Sequence, residues 1–219
     1  MRMVILVLPL LAALTFGGEG KALAKDDFRY LEKTGDKSVR FSWRLEREAG
    51  RTVLVSHKAG TTDTYVLGAD GGIVQWKRTN PAKKTDFTAV KNGPEIAVTG
   101  LLKGADVKKS LKAAGAHWYQ HIAYCLSRFA LSDGKGVSFF VLRPDDLKVF
   151  AMDATRSDVE TLKNRGEERV AQKVRVTFAG MMSKFWHGFY WYDRDRGHFL
   201  RYEGVNGPPG TPKTVITFE

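Results

Sequence analysis

The sequence predicts a mainly β protein: a curved antiparallel sheet, a β-roll or half-barrel, wrapped around one long helix. Three observations carry that expectation. Apolar and polar residues alternate over most of the chain, the period of half-buried strands. Breaks rich in Gly, Asn, Asp and Pro separate these runs. A single segment, about Asp106 to Phe129, has helical spacing instead.

Met1–Ala24 has the layout of a secretory signal peptide. Arg2 opens it, Val4–Phe16 is an uncharged apolar run of 13 residues, and Ala22-Leu23-Ala24 gives a small-x-small cleavage pattern. A membrane-spanning helix needs roughly 20 apolar residues, so this run is too short to be one. The expected mature chain is Lys25–Glu219, one β-rich domain of 195 residues, periplasmic or secreted, with no transmembrane segment after processing. Losing Arg2, Lys21 and Glu19 takes the net charge from +11 to +10. The single cysteine, Cys125, excludes an intramolecular disulfide and a four-thiolate metal or iron–sulfur site.

The expected strands follow in order. Val39, Phe41, Trp43 and Leu45 form one apolar face, and Thr52–His57 and Thr62–Leu67 continue the pattern. Asp70-Gly71-Gly72 is a hairpin signal, because glycine accepts the positive φ of such turns, and Ile73–Arg78 returns from it. Thr85–Val90 and Glu95–Leu101 flank Asn92-Gly93-Pro94. Leu111, Trp118, Ile122, Cys125 and Phe129 then recur at seven, four, three and four residues, one stripe of an amphipathic helix. Strands resume at Val137–Arg143, Leu147–Met152, Val159–Lys163 and Arg169–Phe178. The aromatic segment Phe185–Tyr192, then His198–Glu203 and Thr214–Phe218, complete the chain.

The basic balance attracts polyanions, an anionic envelope surface among them. Its charges are scattered, with no basic run longer than doublets such as Lys83-Lys84 and Lys108-Lys109, and no nucleic-acid signature is present, so nucleic acid is not an expected partner. His117, His121 and Cys125 have metal-ligand spacing on a helix. Cys125 falls on the apolar stripe and HExxH is absent, so no metal and no other cofactor is expected, with that trio as the alternative. There is no G-x-S-x-G elbow, phosphate loop or dinucleotide fingerprint. A hydrolase of cell-envelope material would have to draw on His187, Asp193, Asp195 and His198.

The densest feature is the aromatic hairpin. In a strand, Phe185, Phe189 and Trp191 share one face, and Trp186, Tyr190 and Tyr192 the other. The first set is expected to pack on the helix. The second, with Tyr202, is expected to line a ligand surface, since Tyr and Trp suit a half-wet site.

The C-terminal part carries a pattern: FFVLRPDDLKVFAMDA from Phe139, then FW-x₃-YWY from Phe185, RYEG from Arg201 and GPPGTP from Gly207. Over Val137–Glu219 it resembles the exported bacterial proteins of the domain of unknown function family 3108. That resemblance implies a curved antiparallel sheet shaped like the half-barrels of periplasmic lipoprotein carriers and outer-membrane assembly factors. The family defines no catalytic residues. The expected function is non-catalytic binding of a lipid, glycan or envelope peptide on an aromatic-lined surface. The alternatives are the envelope hydrolase and a structural component of an envelope complex.

Overall fold

The computed structural model describes residues 24–48, 51–113, 117–164, 166–205 and 210–219. Apart from Ala24, which opens the first strand, the signal-peptide segment lies outside the described residues.

Among the described residues, fifteen strands form one sheet. The first eight are β1 (Ala24–Thr34), β2 (Lys37–Glu48), β3 (Arg51–Lys58), β4 (Thr61–Leu67), β5 (Ile73–Asn80), β6 (Thr85–Asn92), β7 (Glu95–Leu102) and β8 (Ala105–Lys112). A two-residue strand, β9 (His117–Trp118), and two short helices follow, α1 (Ile122–Cys125) and α2 (Ser127–Leu131). The rest are β10 (Gly136–Leu142), β11 (Val149–Asn164), β12 (Glu167–Phe178), β13 (His187–Asp193), β14 (Phe199–Val205) and β15 (Lys213–Phe218). The spatial order runs from β8 down to β1, then from β15 down to β9. Every pairing is antiparallel except β10 with β9.

Both chain-terminal strands therefore lie in the middle of the sheet, where β1 pairs β15 from Tyr30↔Phe218 to Thr34↔Thr214. The sheet's edges, β8 and β9, come from the middle of the chain. Curvature brings these edges toward the opposite arms. His117 of β9 bonds Asp70, ahead of β5, at 3.1 Å, and Lys103, after β7, approaches Asp145, after β10, to 3.8 Å.

Strand alternation decides which side chains point into the concave face. That face holds the main core, including Tyr30, Trp43, Leu54, Trp76, Phe87, Trp118, Phe139 and Tyr192. Leu126, Cys125, Phe129 and Ala130 press into it from the two helices. Burying a side chain of the Leu or Phe size contributes about 1.5–3 kcal/mol, and no disulfide ties the chain, so this core carries the stability.

Several expectations are corrected here. The sheet is curved and mainly β as expected, but the long helix is absent. Its first part, Ala105–Lys112, is an edge strand paired to β7 from Glu95↔Lys112 to Leu102↔Ala105. Lys103 and Gly104 make the two-residue turn, at φ +55° and +82°, the hairpin type that needs positive φ at both positions. Among the described residues of that segment, only Ile122–Leu131 is helical, in two pieces. Leu147–Met152 and Val159–Lys163 largely belong to one bent strand, β11, whose register shifts between Arg156 and Val159. Asp26–Thr34, not expected as a strand, is most of β1.

The two faces of the aromatic hairpin are also reversed. Tyr190, Tyr192 and Tyr202 belong to the concave core beside Leu126 and Phe129. Trp191 and Phe189 lie on the convex side in a second small cluster with Ala171, Leu200 and Leu162. Phe185 precedes the strand and is 75% exposed. The physical reason is a cover that the sequence alone does not display. Lys173 and Arg201 lay their cations over the Trp191 ring at 5.2 and 5.8 Å, and the indole N–H donates to Glu160 at 2.9 Å. The apolar stems of these long side chains shield the indole from water while their charges stay wet.

Candidate functional site

The concave face leaves a groove of about 290 Å³ between the sheet and the segment that leads into α1. Phe41 and Trp43 enter it from β2, Phe199 and Tyr202 from β14, and Tyr190 from β13. The rings form one continuous wall. Trp43 stacks on Phe199 at 5.5 Å and 25°, and Tyr190 contacts Phe199 at 6.0 Å and Tyr202 at 4.9 Å.

Tyr202 holds its place because two glycines make room for it. Gly188 and Gly204 are opposite each other in the β13–β14 pairing. A Cβ on Gly188 would lie 2.8 Å from the Tyr202 ring, and one on Gly204 would lie 2.2 Å from its hydroxyl oxygen. The ring lies along its own strand over this shelf, and burial pushes the hydroxyl's pKa up.

Polar groups sit at the groove's mouth and on the segment opposite the sheet. Lys58 and Glu32 pair at 2.5 Å, and the Lys58 ammonium stands 5.3 Å from the centre of the Phe41 ring. Gln120 is fixed by three bonds: it accepts from the Trp118 indole N–H at 3.0 Å and the Leu142 N–H at 2.8 Å, and donates to the Leu142 carbonyl at 2.8 Å. His121 lies edge-on to Trp43, centroids 4.3 Å apart at 87°, and 5.3 Å from Tyr65. Its Nδ1 accepts from the Tyr124 N–H at 3.3 Å, capping α1, which places the neutral ring's proton on Nε2. Burial lowers the His121 pKa to about 4, so the ring is neutral at pH 7. A smaller recess of about 130 Å³ lies beyond Trp43, Phe199 and Ala123 and is bounded by Tyr124, Arg47 and His198.

The titratable groups of the groove are paired or uncharged: Lys58 with Glu32, and His121 as the neutral ring. Cys125 is buried, and burial raises its thiol pKa above the range in which thiolate forms. Of the four hydrolase residues, Asp193, Asp195 and His198 share one turn, and His187 stands apart from them. His187 and Asp193 open and close the same seven-residue strand, roughly 20 Å apart at strand rise. Asp193 is a turn-former: it accepts the N–H groups of Asp195 and Arg196 at 2.9 and 3.0 Å and pairs with Arg169 at 3.1 Å. Burial opposes its charge, but those bonds outweigh it and hold the carboxyl below its ordinary pKa.

Of the residues expected to bind a ligand, Tyr190 and Tyr202 come together in the groove. Tyr192 is fully buried below them. Trp186 stands elsewhere, lining a depression of about 420 Å³ with Phe185, Phe189 and Lys213, and its indole donates to the Val205 carbonyl at 2.6 Å. His117, His121 and Cys125 share no helix: His117 is on β9, His121 caps α1 and Cys125 ends it. Among the described residues no group of three His, Cys, Asp or Glu is placed to hold a metal. Phe41, Trp43, Phe199, Glu32 and Lys58 were missed as site residues. For Phe41 and Trp43 the sequence signal was the Val39–Leu45 alternation, which names a buried face without saying that part of it stays open.

No family model matches the chain, and no curated protein does. Among solved structures, a β-barrel-like protein of the domain of unknown function DUF1849 from Brucella abortus matches with TM-score 0.58 at 10% identity, covering 88% of this chain and 94% of that one. A hypothetical lipoprotein from Escherichia coli gives TM-score 0.41 at 14% identity, over 88% and 86% of the two chains. A LolA superfamily protein from Nitrosomonas europaea gives 0.30 at 8%, over 90% and 84%. The likeness to the Brucella abortus structure is one of fold: this chain has a β-barrel-like architecture over nearly its whole described length.

Proposed function

We propose that the protein is an exported, non-catalytic binding protein of the cell envelope that holds the acyl part of a lipid in the concave groove. The observation that supports it is the combination of an aromatic wall with a polar mouth in one open cleft. Its volume of about 290 Å³ stands near the lower end of ligand pockets, roughly 300–1,000 Å³. Phe41, Trp43, Phe199 and Ile216 offer apolar contact to a chain, while Lys58, Glu32 and the neutral His121 offer hydrogen bonds to a head group. Export rests on the Met1–Ala24 pattern, and kinship with the domain of unknown function family 3108 belongs to the same proposal.

Native mass spectrometry of the protein purified from its producing cells tests the reading. A lipid-sized adduct is expected, and a fluorescent fatty acid is expected to displace it. Ser56→Phe, which fills the cleft from β3, is expected to abolish probe binding. A lipid-free protein that takes up no acyl-chain probe would falsify the assignment.

A further inference from the structure

One end of the rolled sheet carries a surface that the groove does not use. In the antiparallel order, the turns after β1, β3, β5, β7, β10, β12 and β14 all fall at the same end. The connection after β12 differs from its neighbours. It projects Met181, Met182 and Phe185 into solvent at 92%, 53% and 75% exposure. No other large apolar side chains among the described residues reach the exposure of Met181 and Phe185.

These side chains stand on a fixed base. Met181 and Met182 are in the 3₁₀ turn Gly180–Lys184. The Ala179 N–H donates to the Ala151 carbonyl at 2.9 Å, and the Phe185 N–H to Met182 at 3.1 Å. Next to the tip, Trp186 packs on Phe178 at 5.5 Å and Phe178 on Phe150 at 5.5 Å. An anchored root with bare apolar tips leaves water in contact with surface that only a partner can remove.

The surroundings are cationic. The turns at this end that are fully described hold Lys83, Lys84, Lys103, Arg143, Lys148 and Lys184, all exposed, against Asp36, Asp145 and Asp146. Asp146 is shared by Arg143 and Lys148, and Asp145 lies near Lys103, so the acids are on the Arg143 side and Lys184 lies within the apolar tip itself.

Bulky apolar tips flanked by cations match one partner chemistry: a bilayer whose head groups are anionic. We infer that this end of the sheet docks on such a membrane, with Met181, Met182 and Phe185 entering the head-group layer and Lys184, Lys83 and Lys84 facing the charge. Insertion removes apolar area from water, and each Lys or Arg near the surface strengthens partitioning about fivefold. The groove's mouth is at the same end, since Lys58 closes β3 one pairing step before the β3–β4 turn. The docking surface has its own residues, so it stands whether or not the groove holds a lipid.

Co-sedimentation with vesicles tests the inference, using the full purified protein and two vesicle types, phosphatidylcholine alone and phosphatidylcholine with one-third phosphatidylglycerol. Binding is expected to the second, to weaken strongly between 0.05 and 0.5 M NaCl (roughly 14 and 4 Å of screening length), and to be much weaker to the first. Lys184→Glu should lower the partition coefficient at least about fivefold. The double variant Met181→Ser and Phe185→Ser should abolish pelleting with its melting temperature unchanged, because both side chains are exposed. No pelleting with phosphatidylglycerol vesicles, equal pelleting with both vesicle types, or pelleting indifferent to both variants overturns the inference.

Discussion

His121 and Tyr192 each place polar atoms in the core. The His121 ring is buried between Trp43 and Tyr65, and its pKa falls to about 4 from an unfolded value near 6.5. A depressed histidine takes up its proton more readily when unfolded, so stability is whole above pH 6.5 and falls as pH drops toward 4. Between pH 6.5 and 5 the loss from this ring is on the order of 2 kcal/mol, in a window above the ordinary carboxylate range. Urea unfolding at both pH values measures it, and His121→Gln is expected to remove most of the slope. His198, also lowered by burial, adds to the loss in the same direction and accounts for what remains. Tyr192 presents the opposite case. Its hydroxyl is buried and finds no hydrogen-bond partner among the described residues. Removing an unsatisfied donor relieves a desolvation cost, so Tyr192→Phe is expected to raise stability by about 1 kcal/mol, read as an increase in melting temperature.

β13 shows how a strand can be buried on both faces toward one end, from Tyr190 to Asp193. Tyr192 is in the concave core, and Trp191 is 4% exposed beneath Lys173, Arg201 and Glu160. Truncating either ring leaves a cavity that its neighbours cannot fill. Trp191→Ala and Tyr192→Ala are each expected to cost about 3–5 kcal/mol in denaturant unfolding, although they point in opposite directions. Period-two alternation was legible for most strands. The choice of face on β13 was not, because it depends on cations from β12 and β14 that only strand pairing brings over the indole. The helical stripe failed for a related reason. Trp118, Ile122, Cys125 and Phe129 do lie at or near the short helices, but Leu111 joined them by coincidence of spacing. Lys103-Gly104, a two-residue turn between alternating runs, was the local signal that Ala105–Lys112 returns as a strand. β1 was hidden because Asp26, Asp27 and Glu32 dilute the Phe28, Tyr30 alternation.

At the scale of the molecule, β1 and β15 join the two arms of the sheet. β15 sits between β1 and β14, pairing Thr34↔Thr214 on one side and Gly204↔Thr214 on the other. Side chains reinforce the seam: the Thr34 and Thr214 hydroxyls bond at 2.7 Å, the Tyr30 hydroxyl donates to the Phe199 carbonyl at 3.3 Å, and Arg40 pairs with Glu219 at 3.1 Å. Without β15, the eight-stranded and six-stranded arms would each gain a bare edge, and the Phe199–Trp43 stack across the groove would lose the strand that sets its spacing. Unpaired central edges are templates for association between chains. Deleting Lys213–Glu219 is therefore expected to give an aggregating protein with no cooperative melting transition. Removing β9, a two-residue strand at the true edge, leaves the seam intact; His117→Ala, which breaks the exposed bond to Asp70 and the stacking on Tyr119, should lower stability by no more than about 1 kcal/mol. Size-exclusion chromatography with thermal melts separates the cases. A monomeric, cooperatively folded protein lacking residues 213–219 would mean that the arms fold as independent units and that the seam is a contact between them, not the condition for either.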